Sequence, residues 1–325
     1  MNNNNSLAQT EPNNTKHLRE QVPPAILPSS QWHAFLTMGF ANTRRGVMLK
    51  TCEHKGPLYV QKPFYPEGKD RAHIYLLHPP GGLVSGDRLT ITSDLQPETK
   101  VLITTPGAGR VYKARADKSL QHQIVILNVG KQAQLEWLPQ ETLLYPDAQT
   151  RLDTHINLAE GAKFIGWEVT CFGLTASQQP FNQGQVSQCI QVKQDQRLIL
   201  KERLLIDDRN RHLLGSPAGL RQHTVNGFML AGPFFEHSPT GTESDNQDGN
   251  KVEKEPTELI ERLRQASKKY DQHGVTGISF VSGFIVIRSL GPDSEQAKLA
   301  FTHYWQLIRP ELLEVPICKP RIWAT

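Results

Sequence analysis

From Trp32 onward the chain is built of short apolar runs separated by turns rich in glycine and proline. Ile74-Tyr75-Leu76-Leu77, Val101-Leu102-Ile103, Ile124-Val125-Ile126-Leu127 and the stretch from Ile278 to Ile287 are examples. Such runs are short and β-branched, so they predict strands rather than helices. Aligning the turns exposes a degenerate repeat: Leu95-x5-Val101, Val129-x5-Leu135, Leu158-x5-Phe164 and Val192-x5-Leu198, with starts 34, 29 and 34 residues apart. A strand-turn-strand unit cannot bury its apolar face alone. The units therefore stack on one another or pair as consecutive antiparallel hairpins, and the spacing is compatible with both. Either arrangement makes the body mainly β.

The third unit adds a constraint. Ile165, Trp167, Val169 and Cys171 share one face of a strand, and Gly166, Glu168 and Thr170 share the other. If Leu135 lies over Phe164, then Trp137 and Trp167 fall on opposite faces. That predicts either a sheet covered on both sides or a bulge at Gly166.

Two helices are predicted near the carboxyl end. Leu259, Leu263, Ala266 and Tyr270 repeat at helical spacing after Pro256, with Lys268 and Lys269 in the last turn and Gly274 beyond. Ala297, Phe301, Tyr304 and Ile308 do the same, with Asp293 and Gln296 as a capping box and Pro310 as the stop. Residues 1–28, rich in Asn, Gln and Pro, read as a disordered tail. The polar stretch 237–255 reads as a mobile inserted loop.

Composition narrows the class. A formal charge of +4 over 325 residues, with basic clusters no longer than Arg44-Arg45 and Lys268-Lys269, argues against nucleic-acid binding. No run approaches the roughly 20 apolar residues of a membrane span, and no secretory signal is visible, so a cytoplasmic protein is expected. The four cysteines stand singly, without a Cys-x-x-Cys pair, and read as reduced, mostly buried thiols.

The most unusual segment is His78-Pro79-Pro80-Gly81-Gly82-Leu83-Val84-Ser85-Gly86-Asp87-Arg88-Leu89. Pro79 and Pro80 fix φ and remove two donors, so a strand from Ile74 must leave its ladder there. Gly81 and Gly82 permit positive φ, and Gly86-Asp87 makes a second turn. It is no Walker A loop, since it lacks Gly-Lys-Ser/Thr, and no Gly-x-Ser-x-Gly elbow. Thr104-Thr105-Pro106-Gly107-Ala108-Gly109 likewise reads as a turn, because Tyr112 stands where a dinucleotide site needs glycine.

This double turn resembles the hallmark of the urease accessory protein D family, also called UreH. The resemblance continues through Gly56-Pro57-Leu58-Tyr59-Val60-Gln61-Lys62-Pro63, Thr104-Thr105-Pro106-Gly107-Ala108, Leu135-Glu136-Trp137-Leu138-Pro139-Gln140-Glu141-Thr142, Gly166-Trp167-Glu168 and Pro320-Arg321-Ile322-Trp323-Ala324-Thr325. Ser85, Gly109-Arg110 and the 237–255 loop depart from the usual pattern. The resemblance implies a single β-helix-like stack of strands over residues 29–325, with two helices near its C-terminus. It also implies a non-enzymatic chaperone that binds apo-urease and the accessory proteins F and G to load nickel.

Nickel favours imidazole, thiolate and some carboxylate ligands, but the twelve histidines give no His-x-His and no i, i+4 helical pair. No tightly bound cofactor is expected, only nickel in transit. Asp87, Glu136, Glu141 and Glu168 lie in the matching blocks and are the candidate nickel-path carboxylates, with a solvated strand face as the competing reading of Glu136. A passive scaffold without metal contact shares every feature but the acidic lining. A carbohydrate-active enzyme would need Asp207-Asp208 as its pair, and adjacent strand residues point to opposite faces.

Overall fold

The computed structural model describes residues 32–78, 81–235, 255–272 and 274–324. The expected tail 1–28, Pro79, Pro80, Thr325 and all of the 237–255 loop but Glu255 lie outside them.

Among the described residues the strands form two large sheets. The first runs Arg197–Ile206, Gln185–Gln194, Gln149–Leu158, Gln121–Val129, Asp87–Leu95, Trp32–Thr43 and Gly46–Lys55. The main path of the second runs Val275–Val281, Phe284–Gly291, Val225–Gly232, Lys163–Leu174, Gln134–Leu138, Lys100–Thr104, Ala72–Leu77 and Tyr59–Val60. Short strands Gly82–Leu83, Gly109–Val111 and Thr142–Leu144 extend it, pairing in parallel toward the far end of Lys163–Leu174.

Three of the four repeat units stack. Asp87–Leu95, Gln121–Val129 and Gln149–Leu158 pair in parallel in the first sheet, and Lys100–Thr104, Gln134–Leu138 and Lys163–Leu174 do so in the second. Each unit crosses between the sheets through a four-residue corner at 96–99, 130–133 or 159–162. The fourth unit does not cross. Gln185–Gln194 and Arg197–Ile206 form an antiparallel hairpin with an irregularity between Val192 and Lys193. Its turn has only Asp195 and Gln196, both at positive φ, the two-residue geometry whose twist matches antiparallel strands. Stacking and hairpin pairing thus coexist in one chain.

Leu135 lies over Phe164 and Trp137 over Gly166 with no slip, so the bulge at Gly166 is absent and the sheet is covered on both sides. One apolar core fills the space between the sheets, from ladders such as Leu36–Ile91–Val125 and Val101–Leu135–Phe164. A second lies on the outer face of the second sheet, where Ile165, Trp167, Val169 and Cys171 meet the helices.

Helix α1 (Thr257–Ser267) buries Leu259, Ile260 and Leu263, and it ends before Tyr270, which packs against the same core from a turn. Helix α2 (Ser294–Leu313) is capped by Asp293, whose side chain accepts from the Glu295 amide rather than joining Gln296 in a box. Pro310 does not stop this helix. Proline removes its own donor and crowds the preceding turn, but burial of Ile308, Arg309, Leu312 and Leu313 on either side holds the last turn in place.

Candidate functional site

The double turn is tied down on every side. Gly81 donates to the His78 carbonyl at 2.6 Å, and Asp87 donates to Val84 O at 3.0 Å while its Oδ2 accepts from the Val84 amide at 2.9 Å. Ser85 is buried and accepts from the Arg115 amide at 2.7 Å. Gly81 and Gly86 adopt positive φ, +70° and +88°. Gly82 does not need positive φ: it is extended, and its role is close approach. A Cβ there would lie 2.6 Å from Arg110 O and from the Tyr112 ring. Gly82→Val is therefore expected to cost roughly 1–3 kcal/mol through overpacking. An unchanged urea midpoint in this variant would remove that reading.

Next to this turn, between the sheets, lies a cavity of about 390 Å³. Its walls come from Leu58, His78, Gly81, the 105–110 turn, Trp137, Thr142 and Glu168. Blocks far apart in the chain thus converge on one space. The space exists because polar residues replace large apolar ones at inward positions of the first sheet. Thr154 follows Leu36, Ile91 and Val125 in one ladder, and Gln123 and Gln188 interrupt Ala34, Leu89 and Leu152 in the next.

Glu168 projects into this cavity, opposite in direction to Trp167 and Val169. Thr154 Oγ1 donates to its Oε1, and Gln188 Nε2 donates to its Oε2 at 2.7 Å. Burial holds the carboxyl above the ordinary carboxylate range, and these two neutral donors only partly offset it. Both of its hydrogen-bond donors are uncharged. Such a group gains most from a cation brought to it, because a buried charge without a partner is costly.

The other candidates are placed differently. Asp87 sits in the second turn, near His78; burial raises its pKa, opposed by the Val84 amide and by His78 and Arg115. Burial likewise lowers the pKa of His78. Glu141 faces α2 and pairs with Lys298 at 3.2 Å. It adds to the burial that pushes the Cys171 thiol up to about 12. Glu136 is not on a solvated face. It is fully buried on the outer side of the second sheet, because α2 covers that side. Arg71 donates to it at 3.0 Å, Arg309 Nε at 3.0 Å and Trp305 Nε1 at 2.7 Å. Both of its oxygens are thus taken. The four carboxylates therefore do not share one space, and only Glu168 lines the cavity.

The sequence pattern did not single out Asp153. It lies at the cavity wall with its carboxylate bonded to His122 at 2.8 Å and Arg151 at 2.6 Å. A carboxylate beside a basic residue two positions away was its only signal. Asp207 and Asp208 sit in a turn and pair with Arg209 and Arg211, so no catalytic carboxylate pair forms. Of the cysteines only Cys171 is buried, Cys52 being exposed and Cys189 and Cys318 intermediate; sequence burial trends fail because three stand on edge, outward or terminal positions. The final block returns to the sheet. Trp323 donates to Thr104 Oγ1 at 3.0 Å and packs against Trp167 and Trp305.

Residues 33–324 match the family profile described as UreD urease accessory protein. The chain is 54% identical, over all of both chains, to a urease accessory protein UreD of Marinomonas sp. (strain MWYL1). It is 39% identical to one of Psychromonas ingrahamii, covering 93% of this chain and 97% of the relative. It is 34% identical to one of Escherichia coli, covering 91% and 98%. On this evidence of sequence and site together, the chain belongs to the UreD family of urease accessory proteins.

Proposed function

We propose that this protein binds apo-urease and, together with the accessory proteins F and G, passes nickel to the urease active site through the cavity that holds Glu168. Family membership makes it an accessory factor of urease maturation and not an enzyme. The observation that carries the nickel reading is Glu168 itself, a cavity carboxylate whose hydrogen-bond donors are both neutral. A structural carboxylate is normally neutralised, as Glu136 is by Arg71 and Arg309. Nickel in this reading is cargo, held briefly by one carboxylate and neutral oxygens, a set too weak to trap it. Asp87 and His78 stand near the cavity wall as further polar groups on the route. No described helix is long and apolar enough to cross a membrane, in keeping with work in the cytoplasm.

Co-purification tests the reading. The tagged full-length chain is expected to bring down the urease structural subunits in a nickel-free state, together with F and G when these are co-expressed. A pull-down without urease subunits overturns it. Urease subunits that arrive already loaded with nickel favour the passive scaffold.

A further inference from the structure

On the outer face of the second sheet, away from the cavity, Glu67 and His73, six residues apart, meet Cys318 from near the other end of the described chain. The His73 imidazole is fully buried on strand Ala72–Leu77, and its Nε2 lies 2.7 Å from Glu67 Oε1. Cys318 comes from the segment after α2, and the ligand atoms of Glu67, His73 and Cys318 all lie within 4.8 Å of one another. An open cavity of about 280 Å³, walled by Glu67, Asp70, Lys100 and Cys318 among others, borders the group.

We propose that Glu67, His73 and Cys318 form an exchangeable site for a divalent transition-metal ion of the zinc, cobalt or nickel type. Carboxylate, imidazole and thiolate are the donor set such ions take, and a hard ion such as magnesium rejects sulfur. The separations fit. Metal–nitrogen bonds near 2.0 Å and metal–sulfur bonds near 2.3 Å at a tetrahedral angle place ligand atoms about 3.5 Å apart. His73 and Glu67 need to part slightly, and Cys318, within 4.8 Å of both, completes the set by a small side-chain adjustment. Three protein ligands leave the fourth position to water from the cavity side.

The neighbours permit this. Arg309 Nη2 contacts both Glu67 oxygens at 2.7 Å. An ionised carboxylate has about four acceptor positions, so it can keep Arg309 and still ligate. Glu67, Glu136, Arg71 and Arg309 cancel in charge, so a divalent ion with one thiolate adds a single positive charge. Burial, with the Glu67 carboxylate beside it, keeps the free Cys318 thiol protonated. Metal entry releases that proton to solvent and moves the imidazole proton from Nε2 to Nδ1. Nδ1 has no hydrogen-bond partner among the described residues. Metal-bound histidines usually donate from that second nitrogen, and losing such a partner costs about 10- to 100-fold in affinity. The site therefore exchanges its ion instead of locking it in.

Cobalt titration of the full-length chain tests the proposal, because a thiolate–cobalt bond gives a charge-transfer absorption that carboxylate and imidazole ligands do not. The wild type is expected to bind one equivalent with this absorption, and Cys318→Ser to lose the band and weaken binding by about tenfold or more. His73→Gln is expected to weaken binding similarly. Cys318 is partly exposed, so serine keeps the fold, which circular dichroism verifies. Cys189→Ser and Glu168→Gln are expected to keep the band, so failure here is distinguishable from failure of the cavity reading. A wild type without the thiolate band overturns the proposal. So does an undiminished band in Cys318→Ser.

Discussion

Arg309→Ala is expected to destabilise the protein by about 3–5 kcal/mol, the scale seen when one partner of a buried ion pair is removed. Arg309 is 0% exposed, and each of its three guanidinium nitrogens donates a hydrogen bond. Nε donates to Glu136, Nη2 to both oxygens of Glu67 and to Glu136, and Nη1 to the Pro316 carbonyl. Alanine would strand Glu136, itself 0% exposed, with Arg71 and Trp305 as its remaining donors. It would also free the segment after α2 from its anchor at Pro316. Arg309→Lys keeps the charge but loses the planar fork, so an intermediate loss is expected.

Acid should reveal the same network. Hydrogen bonds and charges from His73, Arg309 and Arg71 overcome the burial of Glu67 and hold its carboxyl below the ordinary range. A carboxylate with a depressed folded pKa stabilises above its unfolded pKa, and that stability disappears as pH falls through the folded value. In Arg309→Ala the depression shrinks, so the acid limb should begin at higher pH than in the wild type. Urea melts across a pH series measure both effects. A loss under about 1 kcal/mol, with an unmoved acid limb, would show that the network contributes little.

Glu168→Gln should separate stability from delivery. Burial raises the folded pKa of Glu168, so the folded state holds that proton more tightly than the unfolded chain does. The stability it lends is present below the unfolded pKa and is lost as pH rises through the raised folded value. Where the carboxyl is ionised in the folded state, its burial opposes folding. A neutral glutamine can keep contacts to Thr154, whose hydroxyl both donates and accepts, and to Gln188. The variant should be as stable as the wild type or more so. Nickel per urease active site should fall roughly tenfold, the scale on which metal-site changes act, with partner binding intact. Wild-type nickel content in a stable Glu168→Gln complex would end the case for the cavity as a route. Loss of partner binding first would instead make Glu168 an interface residue. In the wild type, delivery should also weaken on acidification into the raised titration range, where nickel competes with a proton.

Strand alternation made some of this legible and hid the rest. It put Glu168 opposite Ile165, Val169 and Cys171 and put Glu136 opposite Leu135 and Trp137, and both assignments match the structure. Alternation tells which way a side chain points, not what it meets. Glu136 is buried by an arginine 173 residues downstream, and Glu168 meets Thr154 and Gln188 from the facing sheet. The shared five-residue spacing of the repeat also concealed a change of turn. Four-residue corners carry the chain to the other sheet, and the Asp195-Gln196 turn sends it back, without the Asn-Gly or Asp-Gly pair that marks such hairpins. Glu67 and His73 lie six residues apart with no recognised ligand motif, and Cys318 reaches them only because α2 is docked.

Parallel coils have an intrinsic hazard, since each exposed end offers a template on which the next coil, from any copy, could be laid down. In the first sheet the parallel run is closed at both ends by reversed strands, Gly46–Lys55 on one side and Arg197–Ile206 on the other. The outer residues of those strands include exposed Lys50, Glu53, His54 and Lys55 at one end and Arg197, Lys201 and Arg203 at the other. An incoming strand would have to abandon parallel register and bring its backbone against fixed charge. The two hairpins thus act as terminators of a one-dimensional polymer, confining growth of the stack to a single chain.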